Sequence, residues 1–190
     1  SIALQAELTQ EFGACVFDVT LDCEDGAPVG GERDHADMVV ALVQDALGRS
    51  GSVDERIRAR IAVRVHPVDH PSFDQDVAIV VGGAGSLLCH LMVPKVESVQ
   101  DVDLAVAAID VASSELRSTA LPLHVLLESP AAVHRAFEIA AHPRVQSISF
   151  GLMDFVSAHG GAIPAEAMSG DGQFSHPLVV RAKLEIASAC

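Results

Sequence analysis

Short apolar runs alternate with longer amphipathic stretches along most of the chain, and this alternation restricts the fold more than any other sequence feature. Five of the runs are strand-like, because they are rich in β-branched and aromatic residues. They occupy residues 14–21, 60–65, 88–93, 123–127 and 145–150. Helical spacing of apolar residues marks the stretches 34–47, 73–81, 99–114, 131–141 and 176–189. The pattern predicts a parallel sheet covered by helices on both faces.

Charged residues at the ends of the predicted strands favour one of the two folds that fit this pattern. The candidates are an open doubly wound sheet and a (β/α)₈ TIM barrel, whose active site is built from the carboxyl ends of its strands. Each predicted strand ends at or shortly before such a residue: Asp22, Glu24 and Asp25, then Arg64, Lys95, Glu128 and Asp154. A closed barrel needs about 250 residues. The 190 residues therefore predict a single partial TIM-barrel domain over 1–190, with about strands 2 to 6 and their helices.

The composition excludes several classes of function. The net charge is −14, from 12 Lys and Arg against 26 Asp and Glu, so we expect no nucleic acid partner. Every apolar run is much shorter than the roughly 18 residues of a membrane span, and the amino terminus lacks the pattern of a signal peptide. The chain does not begin with Met, which suggests that it starts inside a longer product. Four cysteines without a CxxC pair indicate reduced thiols in a cytoplasmic protein.

Segments at the five strand ends resemble those of a known family. They read LDCEDGAP at 21–28, VRVH at 63–66, MVPKVE at 92–97, LESP at 127–130 and FGLMD at 150–154. In this order they are similar to the LDLEDAVAP, VRVN, MxPKVE, IET and FGxxD segments of the HpcH/HpaI aldolase and citrate lyase beta-subunit family. The resemblance implies a TIM barrel of the phosphoenolpyruvate/pyruvate type. Cys23 stands where the family has Leu, and His66 where it has Asn, which leaves the substrate's identity open.

Glu128 and Asp154 are the predicted metal ligands. The resemblance implies that they bind Mg²⁺ (or Mn²⁺), a hard cation that takes carboxylate oxygens and keeps sites for substrate and water. Their separation of 26 positions is that of one strand–helix–strand step, which would place them on neighbouring strand ends. The alternative from the residues alone is that both carboxylates cap the helices that follow.

Four further residues are candidates for the same site. The resemblance implies that Arg64 binds substrate, and its guanidinium suits a carboxylate or thioester oxygen; the alternative is a structural arginine paired with Asp22 or Asp25. Lys95 either binds the anionic substrate or neutralises the acidic rim. Glu24 and Asp25 either order metal-bound water molecules or cap the next helix.

The resemblance implies a magnesium-dependent carbon–carbon lyase. It would cleave or join a 2-oxo acid and the enolate of an acyl thioester, carried on coenzyme A or a carrier protein, as in citryl- or malyl-CoA. The alternatives are a class II aldolase acting on free 4-hydroxy-2-oxo acids, and a barrel that binds ligands without catalysis. The family also implies a homo-oligomer, a trimer or hexamer, with a general base from the C-terminal segment or a neighbouring subunit. We expect no zinc site, because no Cys pair is present and Pro67 breaks the spacing of His66 and His70.

Overall fold

The computed structural model describes residues 1–48, 60–114 and 120–190. Its strands are β1 (Val19–Asp22), β2 (Ile61–Arg64), β3 (Leu91–Val93), β4 (Leu123–Leu127) and β5 (Val145–Phe150). Its helices are α1 (Ile2–Phe12), α2 (Glu32–Gly48), α3 (Phe73–Ala84), α4 (Val99–Ala112), α5 (Pro130–His134), α6 (Ala136–Ala140), α7 (Leu152–Ala158) and α8 (Pro177–Ala189). Two 3₁₀ turns, Ala165–Met168 and Gly172–Phe174, precede α8. None of the helices in these ranges is long and apolar enough to cross a membrane.

The described residues form two compact units. The first contains Ser1–Met92 and Ala107–Pro122, and the second contains Val93–Val106 and Leu123–Cys190. Whether they belong to one partial barrel domain, as the sequence predicts for 1–190, stays a prediction.

In the first unit, consecutive strands pair in parallel. β1 pairs with β2, so that Asp22 lies beside Arg64, and β2 pairs with β3. The side chains of Ile61 and Val63 are fully buried. Helices α2 and α3 pack closely where Gly83 faces Val40. This direct succession of parallel strands is expected of a barrel, whereas a doubly wound sheet reverses its strand order.

In the second unit, β4 pairs in parallel with β5. Leu123, Val125 and Leu127 are fully buried, and the register shifts by one residue after Leu123. Helix α5 begins directly after β4, because the Ser129 hydroxyl accepts a hydrogen bond from the Ala132 N–H at 3.1 Å and a proline follows the cap. The end of β4 therefore passes into a helix within two residues of Glu128.

The structure confirms the five predicted strands but differs from the sequence-based prediction in three places: helices α1 and α7 were not predicted, and the helix at 131–141 is divided. The pattern did not predict α1, whose buried residues are the polar Gln5 and Thr9, so it shows no apolar stripe. The Gln5 amide instead donates to the carbonyls of Phe17 and Arg60 at 2.7 and 3.0 Å. The predicted helix at 131–141 is divided into α5 and α6 at Arg135, whose φ of −101° and ψ of 11° leave the helical region.

Adjacent glycines in α3 provide a test of the packing between α2 and α3. A Cβ at Gly83 would lie 2.7 Å from Val40 Cγ1, whereas one at Gly82 would meet nothing within 4 Å. We expect Gly83→Ala to lower the free energy of unfolding by about 1–2 kcal/mol through overpacking. Gly82→Ala should raise it by up to about 1 kcal/mol through helix propensity. Urea unfolding followed by circular dichroism measures both, and equal effects would contradict the packing described.

Candidate active site

Arg64 lies at the centre of an acidic cluster at the carboxyl ends of β1 and β2. Its Nε and one terminal nitrogen donate to the two carboxylate oxygens of Asp22 at 2.8 and 2.7 Å. The same nitrogen donates to Asp25 at 2.9 Å, and the other contacts Glu24 at 2.8 Å. The structure thus brings together all the site residues predicted on these two strands. It also contains the structural pairing of Arg64 with Asp22 and Asp25 considered from the sequence.

The cluster carries an excess of negative charge, because three carboxylates surround one guanidinium. Burial favours the neutral form of Asp22, but the hydrogen bonds and charge of Arg64, with backbone N–H groups, outweigh it and lower the pKa of Asp22. The hydrogen bond to Asp22 is the main cause of the raised pKa of Arg64. The Arg64 guanidinium makes three hydrogen bonds and one further ion-pair contact with these carboxylates. The acidic cluster therefore holds the guanidinium in place.

His66, which follows β2, forms a buried pair that the sequence did not indicate. Its Nδ1 lies 2.6 Å from Asp76 Oδ2, and its backbone N–H donates to the same oxygen at 3.1 Å. Its ring stacks on that of His70, with centroids 4.1 Å apart. Asp76 is one of two acids in the first turn of α3, the other being Asp74, and the helical spacing does not show that Asp76 is the fully buried one.

Glu128 lies at the end of β4 with its side chain almost entirely buried. Gly151 packs directly on its carboxylate side chain, and the Gly151 N–H donates to the Leu127 carbonyl at 2.9 Å. A Cβ at Gly151 would lie 2.5 Å from Glu128 Cγ and 2.8 Å from Cδ. The glycine of the FGLMD segment is thus needed to leave room for the glutamate, a role that the sequence analysis missed.

Asp154 and Lys95 lie close together in the same unit. Asp154 belongs to the first turn of α7, not to a strand end, and its side chain is half exposed. The Lys95 Nζ lies 3.7 Å from Asp154 Oδ2. Lys95 adopts a φ of 53°, which is uncommon for a residue other than glycine and often marks functional sites. The donors that Glu128 and Asp154 offer are all carboxylate oxygens, the set that suits a hard divalent cation.

Comparisons with known proteins identify the family of the chain. The chain matches the HpcH/HpaI aldolase/citrate lyase family model over residues 3–168. It is 33% identical over 159 residues to the L-malyl-CoA/beta-methylmalyl-CoA lyase of Cereibacter sphaeroides, which covers 80% of this chain and 46% of the relative. The chain therefore spans about half the length of the curated relatives it matches.

Solved structures share the fold. A citrate lyase from Burkholderia xenovorans is 45% identical with a TM-score of 0.83, covering 97% of this chain and 55% of that one. The citrate lyase beta subunit of Mycobacterium tuberculosis, complexed with oxaloacetate and magnesium, is 22% identical with a TM-score of 0.60 over 97% of this chain and 69% of that one. These likenesses confirm the predicted fold, part of a TIM barrel of the phosphoenolpyruvate/pyruvate type.

The pairing of Asp22 with Arg64 predicts a pH-dependent contribution to stability. The folded-state pKa of Asp22 is lowered, so its carboxylate stabilises the fold above the unfolded pKa of about 3.9 and this contribution is lost as the pH falls through the folded pKa. We expect Asp22→Asn to lower the free energy of unfolding by about 1–2 kcal/mol at neutral pH, a modest value because the pair is partly exposed. The difference from the wild type should shrink below about pH 4.

Urea unfolding from neutral pH down to about pH 3 measures this difference. Asp25→Asn is the matched control, since Asp25 contacts the same guanidinium with a side chain that is 75% exposed. It should change the free energy of unfolding by less than about 0.5 kcal/mol. A loss in Asp22→Asn that is the same at every pH would show that its cause is not this ion pair.

Proposed function

Because the chain belongs to the HpcH/HpaI aldolase/citrate lyase family, we propose that the protein is a magnesium-dependent carbon–carbon lyase. Its substrates would be a 2-oxo acid and an acyl thioester. The bond made or broken would join the keto carbon of the 2-oxo acid to the α-carbon of the thioester. The observation that carries this proposal is the Glu128 carboxylate, buried at a strand end and fitted against Gly151, with Asp154 in the same unit.

Glu128 and Asp154 would hold Mg²⁺ (or Mn²⁺). Two carboxylates fit this ion, because it binds through few protein oxygens and keeps other positions for substrate and water. When bound, the ion supplies positive charge that polarises a carbonyl oxygen and stabilises developing negative charge. The proximity of Lys95 to Asp154 fits the proposal, since an ammonium beside the carboxylate lowers the negative charge that an anionic substrate would meet.

Arg64 would bind the substrate through its guanidinium, which its carboxylate partners hold in place. A guanidinium held on several sides is pre-organised, so little conformational entropy is lost when it donates to a carboxylate or thioester oxygen. Glu24 and Asp25 fix the orientation of this arginine. We keep the ordering of metal-bound water as a second proposed role for these two acids.

The relatives favour a thioester substrate over a free acid. The Cereibacter sphaeroides relative is named for malyl-CoA and methylmalyl-CoA, both acyl-CoA thioesters. The Mycobacterium tuberculosis neighbour was solved with oxaloacetate, a 2-oxo acid. An aldolase acting on free 4-hydroxy-2-oxo acids is the second candidate, supported by the aldolase members that the family description names. Assembly as a trimer or hexamer stays a prediction of the resemblance.

Assays in the direction of bond formation separate the candidates. The protein with Mg²⁺ is supplied with acetyl-CoA plus glyoxylate or oxaloacetate, and separately with pyruvate plus an aldehyde. We expect release of free coenzyme A or formation of the hydroxyacyl thioester only when acetyl-CoA is supplied with glyoxylate or oxaloacetate. Turnover of the second pair alone would select the aldolase, and ligand binding without turnover in either would select a non-catalytic barrel.

Glu128→Gln tests the metal assignment in the same assays. The substitution keeps the volume of a buried side chain and removes the charge that binds the ion, so turnover should fall at least about 100-fold. Isothermal titration with Mg²⁺ should show weakened binding. Glu138→Gln, an exposed glutamate on α6, is the matched control and should change neither quantity. Undiminished turnover in Glu128→Gln would refute the assignment.

Gly151→Ala tests whether the glycine positions the metal ligand. The added methyl group must displace the Glu128 side chain, so the affinity for Mn²⁺, measured by electron paramagnetic resonance, should fall about 10- to 100-fold. Gly170→Ala is the control, because a Cβ there meets nothing within 4 Å. Equal Mn²⁺ affinities of the two variants would show that Gly151 does not act through Glu128.

A further inference from the structure

Three potential metal ligands converge where β1 and β3 begin, at the opposite ends of the strands from the Arg64 cluster. Asp18 directly precedes β1, and Cys89 and His90 directly precede β3. One ligand atom from each lies within 4.8 Å of the others. Asp18 and Cys89 are 71 positions apart in the sequence, so no spacing motif could have indicated the group.

The arrangement of the sulfur and nitrogen atoms suits a tetrahedral ion. Cys89 Sγ lies 3.4 Å from His90 Nδ1. Metal–sulfur and metal–nitrogen bonds of about 2.3 and 2.0 Å at a tetrahedral angle place the two ligand atoms roughly 3.5 Å apart. Cys89 Sγ and His90 Nδ1 are therefore already about as far apart as two ligand atoms of one tetrahedral ion. Asp18, the most exposed of the three, offers a carboxylate oxygen within 4.8 Å of the ligand atoms of the other two.

The three ligands differ in burial: His90 is buried, Cys89 is half-buried and Asp18 is exposed. An ion at this place could therefore be reached from solvent while its nitrogen ligand stays within the fold. Binding by Cys89 requires the thiolate, so the thiol would release its proton when an ion binds.

Arg60 orients Asp18 without removing it as a ligand. Its Nε lies 2.6 Å from Asp18 Oδ1 and its terminal nitrogen 3.0 Å from Oδ2. Each carboxylate oxygen has a second lone pair, so one oxygen can bind an ion while the guanidinium keeps its contacts. Outer partners of this kind fix the direction of a ligating carboxylate.

We propose that Asp18, Cys89 and His90 form a binding site for a zinc-type transition metal, which ties the starts of β1 and β3 together. Thiolate, imidazole and carboxylate are the donors that such ions select, whereas Mg²⁺ prefers oxygen alone. On binding, the Cys89 S–H bond breaks, its electron pair stays on sulfur and becomes the metal–sulfur bond, and the proton passes to solvent. A fourth position is open to water. The site is independent of the proposed lyase function, and its role is structural.

Cobalt(II) is the probe, because a thiolate ligand gives it a charge-transfer band that oxygen and nitrogen ligands do not. Titration of the metal-free protein with Co²⁺ should produce this band, and equimolar Zn²⁺ should abolish it. Cys89→Ser should lose the band and weaken Zn²⁺ binding at least about 100-fold. Cys15→Ser, a cysteine of the same unit, and Glu128→Gln should both keep it.

Alkylation of the wild-type protein tests the site without any substitution that might unfold it. Zn²⁺ should protect Cys89 from iodoacetamide, as peptide mass spectrometry measures, and should leave the exposed Cys190 reactive. A wild-type protein without the charge-transfer band, a band that persists in Cys89→Ser, or alkylation of Cys89 at the same rate with and without Zn²⁺ would each overturn the proposal.

Discussion

Parallel pairing of consecutive strands is the constraint on which the site depends. It places the carboxyl ends of neighbouring strands at one edge, so residues that are distant in sequence come within reach of one another. In the first unit the register sets Asp22 beside Arg64, and in the second Glu128 lies at the end of β4 against the glycine that follows β5. The strands hold the side chains at such an edge rigidly, and the loops add further residues.

The two units position their charged side chains in different ways. In the first, three carboxylates surround one guanidinium and hold it by mutual attraction. In the second, a steric constraint is added: the Glu128 side chain occupies space that only a glycine at 151 leaves open. A side chain larger than glycine at 151 would therefore displace the Glu128 carboxylate directly.

Much of this could be predicted from the sequence. The strands and their charged ends follow from apolar periodicity. The motif around Glu128 predicts a metal ligand there, which stays a prediction. Periodicity failed for α1, which buries Gln5 and Thr9, and for the pairing of His66 with Asp76, because neither depends on an apolar stripe. Hydrogen-bond partners, and the positive φ of Lys95, are set by three-dimensional neighbours that no local pattern encodes.

Asp18–Arg60 and Asp22–Arg64 repeat the same pair of residue types at the two ends of one strand pairing. A slip by one residue would turn the side chains of β1 to the wrong face, and a slip by two would keep the faces but separate both ion pairs at once. Both ion pairs therefore form together only in the native register. A misaligned pairing of β1 with β2 would lose both ion pairs, so the two pairs together favour the native register.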